Sequence, residues 1–167
     1  TTLIQPSNSS DIIVSAGYTY NSNINYLTHQ IATITNTSNS LDIFKFDIRD
    51  GGGSADADVL PTILNAITFN VTNINNIRTA ALFNGNSLVS NVPSINYGGG
   101  TIAFSGLSGV NVTANDGNTN SLTLRVSFLN TVTDNSQIQI TIAAANSTAA
   151  GGSTSSLFSS LDRKSVV

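Results

Sequence analysis

The sequence predicts an all-β fold: an antiparallel β-sandwich, Greek-key and immunoglobulin-like in order, with about nine to eleven short strands. Three observations predict it. The polar residues are mainly Asn, Thr and Ser, and all nine acidic residues are Asp with no Glu, a composition that favours strands, caps and turns over helices. Apolar residues recur at every second position in several runs, the period of a strand with one buried face. Turn signals punctuate those runs every ~8–12 residues, the spacing of sandwiches and barrels.

The 167 residues fit one domain with a real core. Residues 1–10 read as a polar linker or edge strand, 11–160 as the sandwich, and 161–167 as a final strand or a linker to a next module. In order, 11–16 is a short strand with Ile12 and Val14 on one face. Tyr18 and Tyr20 follow between turn residues. Residues 24–34 read as a further strand with imperfect alternation: Ile24, Tyr26, Ala32 and Ile34 share one parity, Leu27 and Ile31 the other. Residues 36–40 are a turn cluster.

The chain is organised around its next stretch, a strand, an acidic glycine loop and a second strand. Phe44, Phe46 and Ile48 alternate with Lys45, Asp47 and Arg49, so the apolar set faces inward and the charges face an exposed sheet surface. Gly51, Gly52 and Gly53 break the strand. Asp50, Asp56 and Asp58 share the loop, and Pro61 closes it, biasing Leu60 to an extended conformation. Ile63, Ile67, Phe69 and Val71 resume a core face. After a polar bend at 72–76, residues 77–90 read as a hairpin turned by Asn84-Gly85, with the type I′ geometry that Asn-Gly favours. Residues 91–100 read as loop, 101–105 as a strand, and Val110 with Val112 as another. After a turn at 115–120, residues 121–129 are the cleanest strand: Leu122, Leu124, Val126 and Phe128 alternate with Thr123, Arg125 and Ser127. Asp134-Asn135 turns the chain into 137–145, and the two strands read as a hairpin with a longer loop. Residues 146–160 read as a long loop.

The acidic loop is the candidate site. Calcium takes six to eight oxygen ligands, which clustered carboxylates and glycine-loop carbonyls supply, so Asp50, Asp56 and Asp58 are the metal candidates and calcium the cofactor. Asp47 points to the sheet surface and is weaker. The bland alternative is that Asp and Gly are turn formers, with the carboxylates capping local N–H groups. The stretch Asn115-Asp116-Gly117-Asn118-Thr119-Asn120 resembles part of a calcium loop but lacks the closing Glu. His29, the only histidine, reads as a strand residue, since nothing selects a nucleophile and a carboxylate to complete a triad. Glycines 51–53 and 98–100 precede no helix and no Lys-Ser/Thr, so they are not phosphate cradles. Tyr18, Tyr20, Tyr26 and Tyr97 either line a binding surface or cap the core with hydroxyls at its rim.

Charged residues are 9 % of the chain, against about 25 % in ordinary domains. A net charge of −3 and a pI near 4.6 leave no basic stripe for nucleic acid. No apolar run approaches the ~18 residues of a membrane helix. Without cysteine there is no disulfide, zinc-thiolate site or cysteine nucleophile. No signal-peptide pattern is visible, so the sequence reads as a mature chain or as a piece of something longer.

The motifs Phe46-Asp47-Ile48-Arg49-Asp50-Gly51-Gly52, Asp56-Ala57-Asp58-Val59-Leu60-Pro61-Thr62 and Ile67-Thr68-Phe69-Asn70-Val71 resemble a module of very large Bacteroidetes surface proteins, adhesin-like substrates of type IX secretion. Residues 77–85, 101–107 and 122–128 match the same module in order, and the resemblance covers roughly 11–160. It implies a sandwich module of a long extracellular chain on the bacterial cell surface, with adhesion or filament building as its role and no established catalytic residues. The expected function is therefore a non-catalytic structural or adhesive module. Its expected partners are neighbouring modules, like subunits or surface glycans. Two alternatives stand beside it: a filament subunit that exchanges strands through 1–10 or 161–167, and an accessory carbohydrate-binding domain of a secreted protein.

Overall fold

Alternation every two residues, with Phe, Ile, Leu and Val on one side, forces pairs of sheets to bury their apolar faces against each other. The computed structural model has that form and describes residues 10–51, 59–149 and 163–165, with side chains as far as 147. Its strands are β1 Ser10–Val14, β2 Leu41–Asp50, β3 Thr62–Val71, β4 Ile77–Asn84, β5 Ser87–Ser90, β6 Ser94–Asn96, β7 Thr101–Phe104, β8 Thr113–Ala114, β9 Thr119–Phe128, β10 Gln139–Ala149 and β11 Arg163–Ser165. One sheet has the order β1-β2-β9-β4-β5. The other has the order β11-β10-β3-β7-β6, with β8 sharing the β7 side of β3. Every pairing is antiparallel. β2 and β3, β3 and β4, and β9 and β10 lie in opposite sheets, so the chain crosses the sandwich repeatedly in Greek-key manner.

The two strands flanking the acidic loop meet in the core. Phe44 and Phe46 of the first sheet approach Phe69 of the second edge-on, with ring centroids 6.0 and 5.8 Å apart. All three are fully buried, and each such side chain contributes roughly 1.5–3 kcal/mol of hydrophobic stabilisation.

Several strand expectations are corrected. Residues 24–34 form no strand. They contain a 3-10 turn at Tyr26–Thr28 and cross the outer face of the first sheet. There Ile31 and Ile34 cover Ala81 and Phe83 in a small second core. Ile31 and Ile34, of opposite parity, both reach that patch, whereas Leu27 and Ala32 stay exposed, so residues 24–34 follow no strand period. Their carbonyls are satisfied from the sheet below: Phe128 N–H donates to His29 O at 2.7 Å, Ser127 Oγ to Ile31 O at 2.6 Å, and Arg78 to Gln30 O at 2.7 Å. With those acceptors filled, no ladder is needed.

β9 and β10 are not a hairpin. Both edges of β9 are taken, by β2 and β4, so residues 129–138 arch over the end of the sandwich and β10 pairs with β3 instead. The segment 91–100 contains β6, and Val110–Val112 is a 3-10 turn rather than a strand. The β4–β5 hairpin exists, but its loop is Gly85-Asn86, between the pair Asn84↔Ser87. Only Gly85 has positive φ, at +55°, the sign pattern of type II′ rather than I′. Residues 146–149 continue β10, and 163–165 pair with β10 of the same chain. Residues 1–9 and 150–162 lie outside the described residues.

Candidate functional site

Asp50 ends β2 at the corner where the chain leaves one sheet for the other. It is 3 % exposed. Thr62 Oγ1, the first residue of β3, donates to its Oδ1 at 2.7 Å, and Gly117 N–H donates to its Oδ2 at 2.9 Å. Its own N–H donates to Asn118 O at 2.9 Å. The 115–118 turn, a separate metal candidate in the sequence, thus docks on the Asp50 carboxylate. Gly117 makes this possible with φ of +67°, a conformation costly to residues bearing a Cβ. Asp116 is exposed and takes no part. Asp56 and Asp58, the other metal candidates, lie outside the described residues. Among the described residues no three His, Cys, Asp or Glu side chains converge. Two of the Asp50 carboxylate's donors, Thr62 and Gly117, lie 12 and 67 residues away, so it ties distant segments whatever else it holds.

Next to this corner an amide network fixes the 109–120 segment. Asn120 Nδ2 donates to Asn111 O at 3.1 Å and to Thr113 O at 2.9 Å, and Asn84 Nδ2 donates to Asn120 Oδ1 at 2.7 Å. Sequence reasoning had no signal for it, since these are three among many Asn in turn contexts.

The charged face of β2 is bonded laterally rather than left to solvent. Arg49 pairs with Asp11 of β1 through both guanidinium and carboxylate forks. Asp47 accepts from Ser15 Oγ and, at 2.6 Å, from Ser121 Oγ on β9. Arg125, expected on an open face, lies under the 15–40 segment. It donates to Ser40 Oγ at 2.9 Å, Ser40 O at 2.6 Å and Thr37 O at 2.8 Å. Burial lowers its pKa, and the Asp42 carboxylate opposes that shift. Burial, then Asp42, pushes the Tyr18 phenol well above its ordinary range. Tyr18 and Tyr20 stack edge-to-face at 5.0 Å. His29 closes the 3-10 turn beside this group. Burial lowers its pKa, Arg125 adds to the effect and Asp42 offsets part of it. The cluster packs the roof onto the sheet.

A concavity lies at the opposite end of the sandwich, ~30 Å from the Asp50 corner by the length of β9. It is a groove of about 530 Å³ between residues 22–26 and the 132–138 arch. Sequence reasoning read these residues as strand ends and a turn and did not bring them together, because a polar loop that lines a groove and one that merely connects have the same composition. Tyr26 lines it, while Tyr97 instead donates its hydroxyl to Ile77 O at 3.1 Å. Compared with protein-family models, curated proteins and solved structures, the chain has no match.

Proposed function

We propose that the protein is a non-catalytic structural and adhesive module of an extracellular bacterial surface protein. The observation that carries this reading is the use made of its few charges. Asp11, Arg49, Asp47, Asp50 and Arg125 each join segments distant in sequence, so the carboxylates and guanidinium groups act as lateral ties between strands and loops. Partly buried, multiply bonded charges of this kind resist separation, because freeing one partner leaves the other desolvated and unpaired. Among the described residues the exposed surface is mainly amides and hydroxyls with few charges, a face suited to like modules or glycans. The resemblance to adhesin-like surface modules supports the same reading and the cell-surface location.

The test is attachment. Beads coated with the full chain are expected to cluster, or to bind glycan-bearing surfaces, above beads coated with an unrelated sandwich domain. Beads inert in both formats would refute the adhesive role.

A second reading, a filament subunit assembled by strand exchange, draws on β11. Its three residues cover only Gln139–Thr141 of an eleven-residue edge strand, so a small amount of pairing separates an intramolecular from an intermolecular partner. Filaments that persist after deletion of residues 161–167 would remove it.

A further inference from the structure

The groove between residues 22–26 and the 132–138 arch has the construction of a ligand site. Its floor is apolar: Phe128 and Ile138 are buried, and Ile24, Tyr26 and Val132 pack against the core with part of each side chain exposed. Its arch is held in shape from below by Asn76. The Asn76 Nδ2 donates to Ser136 Oγ at 2.7 Å, its Oδ1 accepts from Thr133 N–H at 3.1 Å, and its backbone oxygen accepts from Leu129 N–H at 3.0 Å. Ser136 Oγ in turn donates to Thr133 O at 2.7 Å. Gln139 N–H donates to Thr72 Oγ1 at 2.7 Å and fixes the arch where it enters β10. A loop already tied in this way loses little further freedom when something binds.

The rim differs in kind. The side chains of Asn23, Asp134, Asn135 and Gln137 are exposed, line the groove, and make no hydrogen bond within the described residues. They offer amide donors, amide acceptors and one carboxylate around an apolar floor bearing a phenol. Concave sites of a few hundred Å³ with an apolar bed and a few convergent polar groups are the usual form of a small-molecule site.

Resting on the adhesive reading above, we propose that this groove binds a neutral sugar unit of a surface glycan. A pyranose presents a face of C–H groups that packs on Tyr26 and Val132, and an edge of hydroxyls that both donate and accept. Amides and a carboxylate match that edge, since Asp134 accepts two hydroxyl protons and the amides of Asn23, Asn135 and Gln137 do either. Asp134 is the one charged residue in the lining, and its negative charge disfavours uronates, sialylated chains and phosphate.

Nuclear magnetic resonance titration of the full chain with lactose, cellobiose, mannobiose and chitobiose, and with digalacturonate as the acidic arm, tests this. Saturable shifts confined to residues 22–26 and 132–138 are expected for at least one neutral disaccharide. Asp134→Ala and Asn135→Gly are expected to weaken that binding about tenfold while leaving the melting temperature unchanged. Glycine is chosen at 135 because Asn135 has φ of +59°, which glycine adopts without strain. No shift with any neutral sugar at high millimolar concentration, or binding unaffected by both variants, overturns the site. Preference for digalacturonate overturns the ligand class. Coated beads that still adhere when both variants are present separate failure of the groove from failure of the adhesive role.

Discussion

Replacing Asp50 with alanine strips two donors of one acceptor. Thr62 is 1 % exposed, so its hydroxyl loses the Oδ1 contact at 2.7 Å with no route to water, a cost of roughly 1–3 kcal/mol. Gly117 N–H loses Oδ2 but sits in an exposed turn and regains solvent, so that bond contributes nearer ~1 kcal/mol. Removing the carboxylate also removes its desolvation cost, which offsets part of the loss. The net expectation is about 2 kcal/mol of destabilisation. At ~2–4 °C per kcal/mol for a chain of this length, the melting temperature falls by roughly 4–8 °C. Asp50→Asn keeps an acceptor for Thr62 but turns an NH₂ toward Gly117 N–H, and is expected to lose about half as much. Asp116→Ala, in the same turn but exposed, stays within about 0.5 kcal/mol of the parent. Scanning calorimetry on the three variants, with amide exchange at residues 115–118, reads the result. An Asp50→Ala protein that melts with the parent, or whose turn exchanges no faster, would refute the cross-link.

Four further outcomes follow from the same geometry. Calcium and chelator are expected to give coincident melting curves, because Asp50 already holds two protein donors; a rise in calcium that needs Asp56 and Asp58 would instead make the loop a metal site. Gly100→Ala should destabilise by roughly 1–2 kcal/mol in chemical denaturation, since Gly100 has φ of +65° and an added Cβ would lie 3.2 Å from Val71 O. Phe69→Ala should lose about 3–5 kcal/mol, as its ring meets two others across the sheets; a loss below ~1 kcal/mol would deny its place in the core. His29 has a folded pKa below its unfolded value, so the unfolded chain binds more protons and stability falls as pH drops through ~6.5. His29→Gln should flatten that slope, by less than one proton, in denaturation midpoints measured between pH 5 and 8; an unchanged slope would place the titrating group elsewhere.

The alternation in 44–48, 67–71, 101–104 and 122–128 determined that these segments are strands, and which side of each is apolar, because a period of two is a property of the backbone alone; at the start of β3 a register shift puts Leu64, not the expected Ile63, fully in the core. Composition determined the all-β class, and Asn84-Gly85 marked a hairpin to within one residue. The partner of each strand was decided only in three dimensions: β9 and β10 alternate as well as any hairpin pair, yet both edges of β9 were already filled. The outer face of the first sheet was decided the same way. Arg125 and Phe83 carry no local mark of burial, and they are covered because residues 15–40 pack Ile31 and Ile34 on that surface. Asp50 was legible as a distinctive residue but not as a cross-link, since its second donor arrives from Gly117 along a path no local pattern records. Side-chain periodicity is encoded between neighbours, whereas pairing, roofing and long-range bonding depend on which surfaces remain free once the rest of the chain has packed.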